Sequence, residues 1–407
     1  MVSDFPAFIQ IQPYLQSYLW GMTGKDSWVA RISRRQSENG HFAELWCGAH
    51  PNGPSTCLAS PFEGKSLLEV LAMHPDEILG RTASRYSGAF PMLQKVLSVG
   101  EPLSIQVHPT VTDAERLHQS RPADYPDPYP KFEGSIAISE TQLLFGMKPV
   151  SDALANLSTR KVLWELVSSR EEEIRSLDSR SPQDAGRLLF ETLWRTDPSK
   201  VTRITHQLFA QIEATPEAER TPEEAWVLKL KDSYPNGDVG LFGFYIMDLL
   251  TLKIGESVSI ETGIPHAYLS GEVFEVMLPS DNVLRCGITP KKRDDEELFR
   301  CARFSPVAKP VISGKPCRIQ KLSGCEYGFG SSIVAQVYST PGVGYAQTNE
   351  LPELLFCLDG EGSLLKPDGG AALSFSAGSA FVVPARTSEY RISLESGRIA
   401  RFLLPVA

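Results

Sequence analysis

Three observations predict a mainly β protein with an α-helical insert, organised as two related β-barrels of the jelly-roll kind plus a helical domain. The hydrophobic period changes twice along the chain, from strand-like to helical near residue 151 and back to strand-like near residue 240. Two stretches repeat: "GESVSIETGIPHAY" and "GSAFVVPARTSEY" each run from a Gly turn through an apolar strand to a Pro and on to a Tyr. A strand, turn and strand with Pro at the rim suits one edge of a small barrel. At 407 residues the chain is also too long for one small core.

The elements follow in order. Up to residue 150, β-like runs such as "PLSIQVHP" and "SIAIS" are separated by Pro- and Gly-rich loops, and the alternating prolines of "ADYPDPYPK" demand an irregular connection. "SDALANLSTRKVLWELVSSREEEIRSL" opens the helical zone with a Ser151–Asp152 cap, and its Leu163, Leu166, Val167 and Ile174 keep helical spacing. "DAGRLLFETLWR", "VTRITHQLFAQIEA" and "TPEEAWVLKLKDSY" read the same way, the last capped by Thr221 with Pro222 in the first helical position. Beyond residue 240, short β runs punctuated by glycine return, including "LPELLFCLDGEGSLL" and "SAFVVPARTSEYRI". The expected division is a discontinuous β domain over 1–150 and 240–300, a helical insert over 151–239, and a second β domain over 301–407.

Composition narrows the function. With 42% hydrophobic and 22% charged residues the chain is not disordered, and a net charge of −9 argues against a general nucleic-acid binder. No apolar run reaches membrane-spanning length, and the N-terminus lacks the basic start and apolar core of a signal peptide. Seven cysteines without a CxxC pair indicate neither a disulfide framework nor a thiolate zinc knuckle. A cytoplasmic enzyme with reduced thiols, without nucleic-acid or membrane partners, is the plain expectation. All seven histidines lie at or before residue 266, so imidazole-ligated chemistry belongs to the first two-thirds of the chain and the second β domain lacks it.

In "EPLSIQVHPT", Gln106 and His108 stand two apart in a β-rich run and share a face by strand parity, as does Ser104. They form either a hydrogen-bonded core pair or half of a metal site. Glu133 opens the run "EGSIAIS", and His266 sits in "GIPHAY". Two neutral imidazoles, a carboxylate and an amide oxygen make a set suited to zinc or another divalent first-row ion, and without cysteine the set fits an open catalytic position better than a closed structural one. The spacing matches no zincin helix or Cys/His motif. Taken singly, each His reads as readily as a core or rim residue, and Glu133 as a solvated one.

Longer blocks bear on that choice. "YLWG", "AELWCGAHPNGPS", "KVLSVGEPLSIQVHP", "YPKFEGSIAIS" and "PHAYLSGEVFEVMLPSDNVLRCGITPK" resemble type I phosphomannose isomerase, in that family's order and at about its spacings. With the helical insert and the β tail, the likeness covers most of the chain. It implies a zinc-dependent cupin enzyme, one Zn2+ per chain, interconverting mannose 6-phosphate and fructose 6-phosphate. It places the zinc ligands on Gln106, His108, Glu133 and His266, the catalytic arginine on Arg285, an acidic residue on Asp281 and lysines on Lys131 and Lys291. The chain departs from the pattern in one place: where the family reads Asn-His-Lys-Pro-Glu, this sequence reads "YPKFE", with Pro130 for the histidine and Phe132 for the proline.

Moving a proton between C1 and C2 through an enediol needs a base, a stabiliser for the oxyanion and a hold on the phosphate. Asp281 is the first choice for the base, with an Asx-type turn cap as its bland reading; Glu275 is the second, with an outward-pointing, solvated strand residue as its alternative. Arg285 and Lys131 suit the oxyanion or the phosphate. Ser104, Glu44, Trp20, Lys95 and Lys291 are expected at the substrate, with Trp46 and His50 lining or buttressing the pocket, and surface solvation is the alternative for Lys95 and Lys291. The partner is a small sugar phosphate and the expected state a monomer. Competing readings are another metal-dependent cupin enzyme and a non-catalytic sugar-phosphate-binding cupin, the latter favoured by Pro130.

Overall fold

The computed structural model describes residues 5–35, 39–86, 88–308, 310–330, 333–367 and 373–404. Two large antiparallel sheets and a helical insert make up the chain, as the changes of period predict. The first sheet has eleven strands, with a main path running through Val311–Ser313, Glu256–Ile260, Glu133–Ala137, His266–Met277, Leu93–Val99, Glu44–Gly48 and Tyr14–Gln16. Ile105–Val107, Thr141–Met147, Met247–Leu252 and Leu284–Gly287 branch from it. The second sheet has ten strands, mostly from 315–403, and its edge is extended by Ile9–Gln12 and Thr56–Cys57. The two β units therefore exchange strands: 9–12 and 56–57 join the second sheet and 311–313 joins the first.

The strand His266–Met277 organises the first sheet. Its first half pairs with Thr141–Met147 and Ile105–Val107, and its second half with Leu93–Val99 and Glu133–Ala137. The switch falls at Gly271, whose φ of +104° only glycine adopts readily and whose Cβ position lies 2.5 Å from the Glu140 carbonyl oxygen.

The insert begins differently from the expected cap. The first helix is Val150–Ser158 with Pro149 as N-cap, so Ser151 and Asp152 lie inside its first turn. Pro149 offers no side-chain cap; its carbonyl accepts from the N–H groups of Asp152 and Ala153, each at 2.9 Å. The long periodic stretch divides into Val150–Ser158, Lys161–Val167 and Glu171–Asp178, with Leu163, Leu166, Val167 and Ile174 buried as spaced. Pro182–Trp194, Pro198–Glu213 and Pro222–Lys229 follow, the last with a full capping box between Thr221 and Glu224.

Alternation decides what each strand presents. Ile105 and Val107, Ala267 and Leu269, and Leu284 and Cys286 point into the core shared with the helical insert. Val96, Ile136, Phe274 and Val276 point into the core shared with the second sheet. The remaining faces of these strands converge inside the first β unit, and they carry the polar residues.

Candidate metal centre

Across that interior the register sets Trp46 beside Lys95, Lys95 beside Glu275, and Glu275 beside Ser135. On the adjoining strands His266 stands opposite Gln106, and Gln106 opposite Arg285. Cross-strand partners share a face, so Gln106, His266 and Arg285 look the same way. His108 lies just past the end of the strand Ile105–Val107, and Ser104 just ahead of it, so parity holds only for the central residue of the expected run.

His108, Glu133 and His266 bring one ligand atom each within 4.8 Å of one another. The two imidazole rings meet edge to face at 4.7 Å, and each Nε2 stands 3.7–3.9 Å from a Glu133 oxygen. His266 donates from Nδ1 to the Ile264 carbonyl at 2.9 Å. That bond fixes the tautomer and leaves Nε2 with a free lone pair aimed inward. His108 Nε2, His266 Nε2 and Glu133 Oε2 are buried without a hydrogen-bond partner. Orphaned acceptors at such a density are rare in folded proteins; a divalent cation with N/O preference satisfies all three at once, and the residues therefore fit a metal.

Charge is arranged accordingly. Burial opposes ionisation of Glu133, but Lys131 (Nζ to Oε1 3.0 Å) and the two imidazoles outweigh it and hold the carboxyl well below its usual range. Burial lowers His108 and His266, so both stay neutral and able to ligate. Lys95 is 8% exposed, which excludes the solvated reading; burial would lower it, yet Glu44 and Glu275, each 3.7 Å away, raise it. Its ammonium also lies 4.8 Å from the Trp46 ring centroid, and Trp46 donates its indole N–H to Glu44. Glu275 is buried rather than solvated, and burial followed by the nearby Glu133 charge pushes it up to about 8. Tyr268 and Ser135 hydrogen-bond each other and reach Glu275 at 3.4 and 3.5 Å; sequence reading singled out neither, although the same-face offset from His266 and Glu133 marks both.

At the rim, Asp281 occupies a loop, with Oδ1 3.2 Å from His50 Nε2 and Oδ2 accepting from Asn52 Nδ2 at 2.7 Å. The bond to His50 holds its carboxyl below the usual value. Arg285 and Lys291 line a cavity of about 270 Å3 together with Arg121, Lys292 and Arg293. Arg121 and Arg293 are paired with Asp294 and Asp295, whereas among the described residues Arg285, Lys291 and Lys292 have no acidic partner within ion-pair distance. Trp20 stacks on Tyr18 at 5.8 Å and packs with Leu103 onto the cluster that contains Tyr268. Burial and the charges of Glu44 and Asp281 raise Tyr18, against the lowering effect of Lys95.

A mainly β chain with a helical insert and a buried imidazole–carboxylate cluster inside its first β unit is a metal-binding protein of the cupin kind. Residues 8–150 match the catalytic-domain model of type I phosphomannose isomerase. The chain is 33% identical over 329 residues to human mannose-6-phosphate isomerase, covering 78% of each. It is 30% identical over 420 positions to mannose-6-phosphate isomerase 1 of Arabidopsis thaliana, covering 96% of this chain and 94% of that one. A zinc-bound crystal structure of mannose 6-phosphate isomerase superposes with a TM-score of 0.82 at 25% identity, over 98% of this chain and all of the other. The chain belongs to the type I phosphomannose isomerase family.

Proposed function

We propose that this protein is a zinc-dependent isomerase that interconverts mannose 6-phosphate and fructose 6-phosphate through an enediol. The observation that carries the reading is the set of orphaned, buried ligand atoms on His108, Glu133 and His266, inside a fold whose relatives include a zinc-bound mannose 6-phosphate isomerase. Gln106, opposite His266, completes an N/O set of four for one Zn2+. The ion would supply Lewis-acid stabilisation of negative charge on the sugar oxygens.

The chain's own groups do the rest. Arg285 shares the face of Gln106 and also lines the cationic cavity, so a phosphate held there by Arg285, Lys291 and Lys292 leaves the sugar lying toward the ligands. Lys131, 3.0 Å from Glu133, brings a cation beside that carboxylate for developing enediolate charge. Asp281 and Glu275 are the two carboxyl groups available for proton transfer, Asp281 ionised at the rim and Glu275 poised by burial. Ser104, Glu44, Trp20 and Lys95 complete the sugar pocket, with Lys95 locked between two carboxylates. The catalytic unit is read as residues 1–150 with 240–300, the insert over 151–239 bracing its strands from behind. No described helix is long and apolar enough to cross a membrane; a cytoplasmic monomer remains the expectation.

The test is turnover of mannose 6-phosphate by purified protein, before and after chelation and after zinc is restored. Activity that disappears with chelator and returns with Zn2+ supports the reading. Absence of turnover with zinc bound refutes it.

A further inference from the structure

We infer that Asp127, between Pro126 and Pro128 in the loop ahead of Glu133, is a positioning residue for Asp281. The inference rests on the isomerase reading and assigns a task to a residue that does not itself reach the metal ligands. Its Oδ1 accepts from Ser280 Oγ at 2.8 Å, from the Tyr129 N–H at 3.0 Å and from Asn282 Nδ2 at 3.1 Å. Its Oδ2 accepts from the backbone N–H of Asp281 at 2.9 Å. Asn282 Nδ2 also donates to the carbonyls of Asp127 (2.6 Å) and Tyr129 (3.2 Å). Ser280 and Asn282 are 3% and 0% exposed, so Asp281 is the one exposed residue of a turn anchored on both sides.

Two features separate this from an ordinary loop latch. The bonds to Ser280 and Asn282 already close the loop; the Oδ2 bond goes to the main chain of Asp281 itself and fixes where its side chain starts. The far end of that side chain is held independently by His50 and Asn52. A carboxylate placed beside another carboxylate gains no Coulomb energy from it, so Asp127 is there for its accepting geometry. Prolines at 126, 128 and 130 hold φ near its fixed value and stiffen the hub. His50, Asn52, Asp127, Tyr129, Pro130 and Asp281 line one cavity of about 700 Å3, so the hub, the pair and the position where the family pattern has a histidine face the same space. Among the described residues lining it, His50 is the only imidazole, and it belongs to Asp281.

The test is a kinetic cycle on the zinc-loaded enzyme. Asp127→Asn keeps an oxygen for Ser280 and Tyr129 but sets an NH2 group against the Asp281 N–H. Because displacement of a reacting group by about 1 Å costs up to about a hundredfold in rate, kcat for mannose 6-phosphate should fall at least about tenfold, with KM changed less than about twofold and zinc content unchanged. In an Asp281→Asn background the same substitution should cost nothing further, because the effect runs through Asp281. Ser280→Ala, a milder break in the hub, should show a smaller loss with the same non-additivity, and it serves if Asp127→Asn does not fold. Losses that multiply in the double variant, an unchanged kcat in Asp127→Asn, or full activity in Asp281→Asn each overturn the inference. Parent enzyme measured alongside keeps the outcomes apart, since failure of the parent to turn over counts against the function itself.

Discussion

Gly134 follows the ligand Glu133 and faces the other way, onto the second β unit. A Cβ built there would lie 2.1 Å from Cγ of Phe329, 2.2 Å from Cδ2 and 2.6 Å from Cδ1. For Gly134→Ala the ring must retreat until that 2.1 Å becomes about 3.4 Å, the near edge of ordinary contact. Phe329 is 2% exposed, lies parallel to Tyr327 at 6.4 Å, and belongs to the core between the two sheets, so it has nowhere to go. Overpacking of a filled core costs about 1–3 kcal/mol, and the rigid surroundings place this case at about 2–3 kcal/mol. At about 2–4 °C per kcal/mol for domains of this size, the melting temperature should fall by about 5–10 °C. Phe329→Ala removes Cγ and both Cδ atoms at a cavity cost of its own, so the double variant should lie at least about 1 kcal/mol above the additive sum. Differential scanning calorimetry on the three variants reads this directly, and zinc content shows whether the strain reaches Glu133. A Gly134→Ala protein melting within about 1 °C of the parent, or a strictly additive double variant, would refute the packing argument.

Removing a ligand and removing a cation should separate. His266→Ala should lose bound zinc and activity together, whereas Arg285→Ala should keep its zinc, measured by atomic absorption, and lose about a hundredfold or more in kcat/KM; near-normal turnover of Arg285→Ala would exclude its catalytic role. Acid stability should depend on the network joining helix Val111–Ser120 to helix Asp295–Cys301, in which Arg116 bridges Asp113 and Glu297 and Arg121 meets Asp294. Burial raises Asp113 and Asp294, but their hydrogen bonds to Thr110 and Arg116, and to Arg121, leave both lowered. Depressed carboxylates stabilise above the unfolded value of about 3.9 and lose that contribution as pH falls through the folded value. Asp294→Asn should therefore flatten the drop in melting temperature below about pH 4; an unchanged acid limb would show the pair to be inert.

The sequence made the helices easier to read than the strands. Thr221, Pro222 and Glu224 announce a helix start by local chemistry alone, and the structure builds that capping box. The breaks after Ser158 and Val167 carry no glycine or proline, so periodicity ran through them; tertiary packing imposes them. In the first sheet alternation fails as a guide because both faces are covered: all seven residues of Leu93–Val99 are buried. That is why Lys95 and Glu275 could be taken for solvated residues when they face each other across a buried interior. The proposed metal ligands come from three separate segments with no fixed spacing, so only the longer family pattern joined them. Asp127 left no such signal, since an acidic residue among prolines is ordinary loop composition.

The second β unit supplies an internal control for the metal reading. By the repeat, Tyr390 corresponds to Tyr268, and each donates its hydroxyl to a buried glutamate, Glu353 and Glu275. In the second unit Arg401 engages Glu353 twice, at 2.8 and 2.6 Å, and also reaches Gln336 and the Gln347 carbonyl. None of these described polar atoms is left without a partner, so that interior is closed by its own ion pair. In the first unit, among the described residues, Lys95 stands as the cation beside Glu275, while the imidazoles and Glu133 keep unpaired lone pairs in equally deep burial. Unmet ligand atoms near the Tyr268–Glu275 pair, beside fully met ones around the matching Tyr390–Glu353 pair, do not come from poor packing of the fold as such. They mark a place where the chain's partner is not part of the chain, and the donor set says that this partner is a metal ion.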